Sequence, residues 1–178
     1  LSRAIDENSD PANTDFLKEQ LIKRIQEGGP KSMNELLIHV YIQEKNFRGA
    51  FTQLKALEKR DAASPGELMR LAKVAAQNEE YDLAQRIYEH IARKGPEDLY
   101  YENATLGLLA TARAELENQP EVTNEEWQEL VGRYESHREE FKGDPNISKL
   151  HLALADIYAY RLNELDTAES LLSALLKM

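Results

Sequence analysis

Residues 68–96 read LMRLAKVAAQNEEYDLAQRIYEHIARKGP, and residues 34–62, thirty-four positions earlier, read NELLIHVYIQEKNFRGAFTQLKALEKRDA. At that offset Leu37 answers Leu71, Phe47 answers Tyr81, Ala50 answers Ala84, Leu54 answers Tyr88 and Leu57 answers Ile91. Matched positions are apolar in both copies, while the residues between them vary freely. Self-similarity at a fixed period of this size is the mark of stacked units, because one unit alone cannot bury its apolar face.

Each copy reads as two helices. In the first, Leu36, Leu37, Val40 and Tyr41 recur at helical spacing, Lys45–Asn46 interrupts, and Phe47–Lys59 resumes the pattern. In the second, Leu68, Leu71, Ala72 and Ala75 form one stripe, Gln77–Glu80 is a turn, and Tyr81, Ala84, Ile87, Tyr88 and Ile91 form the next. Start signals accompany both copies. Ser32 with Glu35, and Ser64 with Glu67, fit a capping box, the latter with Pro65 at the first helical position. Ala50 and Ala84 fall early in each second helix, where a large side chain would hold two packed backbones apart.

As a set these residues resemble the tetratricopeptide repeat, a 34-residue helix–turn–helix unit. The second copy carries Leu71-Ala72, Tyr81, Ala84, Tyr88 and Pro96, with Ala75 in place of the family's first-helix aromatic. The first carries Leu37, Tyr41, Phe47 and Ala50 but has Ala62 where Pro would stand. The resemblance implies an all-α fold: a right-handed superhelix of antiparallel helix pairs, an α-solenoid of about nine helices.

Outward from these copies the pattern loosens. Leu154-Ala155-Asp156-Ile157-Tyr158, followed by Leu165 and Ala168, is similar to a further copy. Tyr158 and Ala168 are ten apart, against nine for Tyr41 and Ala50, so this turn is expected to hold one extra residue. Ala84 to Ala168 spans 84 residues, sixteen more than two repeats, so the unit between is enlarged. Its first helix is expected over Glu97–Glu117. Asn118–Val122, with Pro120, is the connection, and Thr123 with Glu126 is a third capping box, opening a helix with Trp127, Leu130, Val131, Tyr134 and Phe141. No small residue stands at the close-contact position there, so a looser crossing is expected. Upstream, Asn13 or Thr14 is expected to cap a packing helix with Phe16, Leu17, Leu21, Ile22 and Ile25, which Gly28-Gly29-Pro30 ends. The organisation expected is thus a polar segment plus packing helix over 1–30 and a repeat domain over 31–178, with units 31–64, 65–98, 99–147 and 148–178.

Composition narrows the function classes. Charged residues make up 30% and aromatics 7%, which suits helices with solvated outer faces. No run of about 18 apolar residues is present, so no membrane insertion is expected. The formal charge is −10 with no basic block, which argues against nucleic acid. The chain has no cysteine, which removes disulfides and thiolate chemistry and leaves the compartment open: cytoplasmic, or periplasmic or exported if a signal has been removed. It begins at Leu1 rather than Met, and its apolar Leu171–Leu176 stretch is followed by no polar capping helix. Both features lead us to expect a piece of a longer protein, or an end that packs on a partner.

Catalytic signatures are missing. His39, His90, His137 and His151 form no His-Glu-x-x-His pattern and read as surface or groove residues. Ser136-His137 has no Gly-x-Ser-x-Gly elbow, and Gly28-Gly29 reads as a helix stop rather than a phosphate loop. Glu125-Glu126 and Glu139-Glu140 read as solvated helix faces. Tyr41, Phe47, Tyr81, Tyr88, Trp127, Tyr134 and Tyr158 read as core, with Tyr100 and Tyr160 less committed to it. We therefore expect no enzyme, no cofactor and no metal.

What the resemblance implies about function is a groove lined by first helices that holds a protein or peptide. Its positions carry over to Glu35, His39 and Gln43, then Met69, Lys73 and Gln77. In the enlarged unit they are Tyr100, Asn103 and Thr111, and in the last unit Leu152, Asp156 and Tyr160. The basic clamp with which chaperone-binding members hold a carboxylate has no counterpart, since its first-unit positions carry Glu35 and His39 and only Lys73 is basic. The acidic stretch Glu117–Asp144 is expected to favour a basic partner. Self-association through the C-terminal helix is a further expectation. An interaction scaffold leads. A regulatory or sensor domain that binds a peptide signal, or an accessory domain of a larger enzyme, are the alternatives.

Overall fold

The turns at which the repeat reverses show why this chain folds into helix pairs. In the computed structural model, which describes residues 11–60, 65–143 and 146–176, Lys45 and Glu79 adopt left-handed backbone angles (φ 56° and 63°) two residues before the next helix begins. The following amides reach back five residues: Asn46 N–H donates to the Tyr41 carbonyl at 2.7 Å, and Glu80 N–H to that of Ala75 at 3.0 Å. This closure consumes carbonyls that a helix end otherwise leaves unpaired. Asn163 (φ 57°) repeats the device near the C-terminus, but Glu164 N–H reaches back six residues, to Tyr158 at 2.8 Å. The expected extra residue is there.

Among the described residues the elements are nine helices and no strand. They are α1 (Pro11–Gln26), α2 (Lys31–Gln43), α3 (Phe47–Glu58), α4 (Pro65–Gln77), α5 (Tyr81–Ala92), α6 (Tyr101–Glu117), α7 (Asn124–Glu140), α8 (Ile147–Tyr160) and α9 (Leu165–Leu175). The fold is all-α, with neighbouring helices packed on one another. It divides into two compact units, one ending at Ala104 and one starting at Thr105, within α6.

In the first unit α2 pairs with α3 and α4 with α5, α3 packs on α4, and α1 lies against α2. Ala50 and Ala84 are fully buried, each near the start of its pair's second helix. Around them Leu37, Leu54, Leu57, Leu68, Leu71, Ile87 and Ile91 are almost wholly excluded from water. Charge links the two pairs at equal repeat positions: Arg48 meets Asp82, thirty-four residues on, at 3.4 Å. Glu58 of α3 takes Lys94 at 2.6 Å and His90 at 2.6 Å. Partial burial alone would raise the Glu58 carboxyl, but the hydrogen bonds from Lys94 and His90 outweigh it and leave its pKa below the ordinary value.

In the second unit α8 pairs with α9 around Ala168, and α7 packs on α8. In α6, Leu109 and Ala112 are buried, and α7 buries Trp127, Leu130, Val131 and Tyr134. The Thr123 capping box is present in both directions. Thr123 N–H donates to Glu126 Oε2 at 2.8 Å, and Glu126 N–H donates to Thr123 Oγ1 at 3.3 Å.

Three start signals differ from expectation. Ser32 does not cap α2, because Pro30, extended at φ −64°, ψ 155°, stands at the N-cap and puts Ser32 inside the first turn. Glu35 is then free of the capping role and pairs with Lys31 at 3.0 Å. Asn13 and Thr14 do not cap α1, which already begins at Pro11. Ser64 lies outside the described residues. The first helix of the enlarged stretch begins at Tyr101 rather than Glu97, since Gly95 (φ 90°) and Pro96 turn the chain, and the Asp98 carboxylate accepts Tyr100 N–H at 2.8 Å. The helix stop after α1 is as expected: Gly28 sits at φ 85°, and Gly29 N–H donates to the Arg24 carbonyl at 2.8 Å, so close that a Cβ on Gly29 would lie 2.7 Å from that oxygen.

Candidate functional site

Within the first unit an open cleft of about 320 Å3 runs between α2 and α4, with α3 beneath it. Glu35, Ile38, His39 and Ile42 line one wall, Glu67, Arg70, Leu71 and Val74 the other, and Leu54 contributes from α3. Each wall is one helix stripe at spacing i, i+3, i+4, i+7, the residues that share a face over two turns. The helices are held apart just enough to leave the cleft because their closer contacts are each with its own partner, α3 or α5.

Two of the expected groove residues, Glu35 and His39, stand on this cleft. Gln43 is exposed and does not line it, and neither do Met69, Lys73 and Gln77. The reason is geometric. Glu35, His39 and Gln43 carried on by thirty-four give Met69, Lys73 and Gln77, which are equal positions on equivalent helices and so point the same way. A cleft between two side-by-side helices is bounded by opposite flanks, so its far wall is offset by thirty-two residues instead: Glu67, Arg70, Leu71 and Val74. Tyr100 is half-buried in the turn before α6, and Asn103 is exposed on α6; neither lines the cleft.

The cleft has an apolar floor with charge at its rim. Glu35 is paired with Lys31, and Glu67 is also engaged within the molecule. Arg70 and Lys73 are exposed and form no ion pair among the described residues.

In the second unit, Asp156 is exposed and accepts from Arg113 at 3.5 Å, and Tyr160 is 80% exposed. Leu152 is exposed as well. Thr111 is not a groove residue: it is buried, and its hydroxyl donates to the Gly107 carbonyl at 2.7 Å, one turn back in α6. Glu117 takes both Arg113 (3.0 Å) and Arg161 (3.1 Å). Burial pushes the Tyr134 hydroxyl up to about 12.

The histidines divide. His39 is exposed at the cleft, His90 is half-buried against Glu58 with its ring edge-on to Phe51, and His137 pairs with Glu140 at 2.8 Å. His151 is neither surface nor groove; α8 turns it inward, and its Nδ1 has no hydrogen-bond partner. Of the expected core aromatics, Phe47, Tyr88, Trp127 and Tyr134 are buried, while Tyr41, Tyr81 and Tyr158 are half-buried. In the acidic stretch, Glu126 is committed to its capping box and Glu135 to Arg138 (2.6 Å), whereas Glu125 and Glu129 project into solvent. On α9, Leu165, Leu172 and Leu176 recur at spacings of seven and four and form one exposed apolar stripe.

Among the described residues no helix is long and apolar enough to cross a membrane, and no group of three His, Asp or Glu is arranged to hold a metal ion. No protein-family model matches the chain, and no curated protein matches it.

Proposed function

We propose that this chain is a non-catalytic interaction scaffold of the tetratricopeptide type, and that the α2–α4 cleft receives an extended segment or helix of a protein partner. The observation that carries the reading is the cleft itself: an apolar floor, a polar rim, and walls formed by the first helices of two successive repeats. Mostly apolar concavities with a few polar groups at the edge are the usual form of a binding site.

The test is site-specific photo-crosslinking with the full chain. A photoreactive residue at His39 or Ile42 should trap a partner from the source cell, the same residue at Gln43 or Gln77 should not, and Val74→Arg, which fills the cleft, should remove the adducts. Equal trapping at all four positions, or adducts that survive Val74→Arg, would move binding elsewhere.

A second contact, through the acidic α7 surface, is favoured by the solvent-facing Glu125 and Glu129 and would suit a basic partner. Glu126 is left out of its test because reversing it also breaks the cap. Reversal of Glu125 and Glu129 should weaken partner binding at low salt and matter little at high salt. Self-association is favoured by the α9 leucine stripe. Sedimentation that gives monomer at every concentration would remove it.

A further inference from the structure

The α2–α4 cleft is unevenly charged, and the imbalance specifies what it takes. Ile42, Leu71 and Val74 give it an apolar interior. At its rim the Glu35 carboxylate is paired with Lys31 at 3.0 Å, and Glu67 also has an interaction within the molecule. Arg70 stands on the same wall as Leu71 and Val74, with no ion pair among the described residues, and Lys73 follows it on α4 in the same state. A solvated arginine on a convex face would say little. This one lines the wall of a concave cleft with an apolar floor, where a planar guanidinium can grip a carboxylate with two parallel hydrogen bonds.

Resting on the binding reading above, we infer that the occupant is an acidic–aliphatic peptide segment. It seats a bulky aliphatic side chain between Ile42 and Val74 and places an Asp or Glu side chain, within one turn of it, on Arg70. The net charge of −10 does not oppose this. At physiological ionic strength charges beyond about 8 Å are largely screened, so the contact pair at Arg70 outweighs the distant carboxylates. An opposite choice, a basic segment, would set its cation against Arg70, which has no ion pair among the described residues to offset it. That arrangement is repulsive at contact.

The experiment uses a random library of displayed, end-capped 12-residue peptides selected on the full chain, on Arg70→Glu and on Val74→Arg, each first shown to be folded by circular dichroism. The full chain should enrich peptides that pair Leu, Ile or Met with Asp or Glu. Such peptides, made synthetically, should lose roughly tenfold in affinity on Arg70→Glu and a smaller part of it on Arg70→Lys, which keeps the charge but not the two-bond grip. Selection on Arg70→Glu should retain the aliphatic residue and exchange the acid for Lys or Arg. Peptides that depend on Val74 but show no acidic preference, or the same preference with Arg70→Glu, would overturn the inference and leave the cleft as a binding site. No enrichment beyond that seen with Val74→Arg would overturn both.

Discussion

Helices α4 and α5, and helices α6 and α7, are each consecutive in the chain, yet they meet by different rules. The first pair turns within Asn78–Glu80, with Glu79 left-handed and Ala84 fully buried early in α5. The second pair is joined by residues 118–123 and has no alanine anywhere in its second helix. Instead α7 buries Trp127 and Tyr134, and charge ties α6 to its surroundings through Arg113, Glu117, Asp156 and Arg161. Apolar periodicity is common to both regions. A tight turn plus a small residue accompanies the close α4–α5 pair, whereas α7 buries large aromatics instead.

Four measurements would break or sharpen this contrast. The largest effect is expected in α7. Trp127→Ala should cost about 3–5 kcal/mol in denaturant unfolding, because removing a buried indole leaves a cavity. A loss near that of a surface substitution would show that the aromatics do not hold α7. Next comes the close pair. Ala84→Leu should cost roughly 1–3 kcal/mol by forcing α4 and α5 apart, whereas the same enlargement at exposed Ala110 in α6 should change little. Equal melting of the two variants would erase the distinction between the regions.

The third measurement concerns the charges that bind α3 to α5. The folded pKa of Glu58 lies below its ordinary value of about 4.5, so its contribution is complete above that value and disappears as pH falls through the lower, folded value. Thermal melting of the full chain between pH 6 and 3 should therefore fall more steeply than that of Glu58→Gln. Parallel curves would show that Lys94 and His90 do not stabilise the carboxylate. The smallest effect is at the turn. Glu79→Gly should stabilise by about 0.5–1 kcal/mol, since relief of a left-handed side chain exceeds the added chain entropy of glycine. A destabilised variant would show that the Glu79 side chain, not its backbone angle, matters there.

Much of the fold was legible in the residues themselves. The thirty-four-residue offset located α2 to α5, and the Thr123 box located the start of α7. The ten-residue spacing from Tyr158 to Ala168 revealed the longer last turn. Signals of this kind are local: a periodic stripe, a cap and a turn each act within a few residues. Capping at Ser32 was misleading for an equally local reason, because Pro30 took the N-cap first.

The candidate site was legible only in part. Glu35 and His39 were found because they lie on the flank of α2 that faces α4. Arg70 and Val74 were missed because a repeat offset matches residues that point alike, and a cleft is built from residues that point at each other. The sequence by itself therefore determined the helices, their order and which stripe of each is apolar, since these follow from spacing along one chain. Tertiary structure alone decided which flanks face across a cleft, and that Arg70 on its wall has no ion pair among the described residues. Those properties depend on how far apart separate helices stand, and that distance is set by the side chains packed between them.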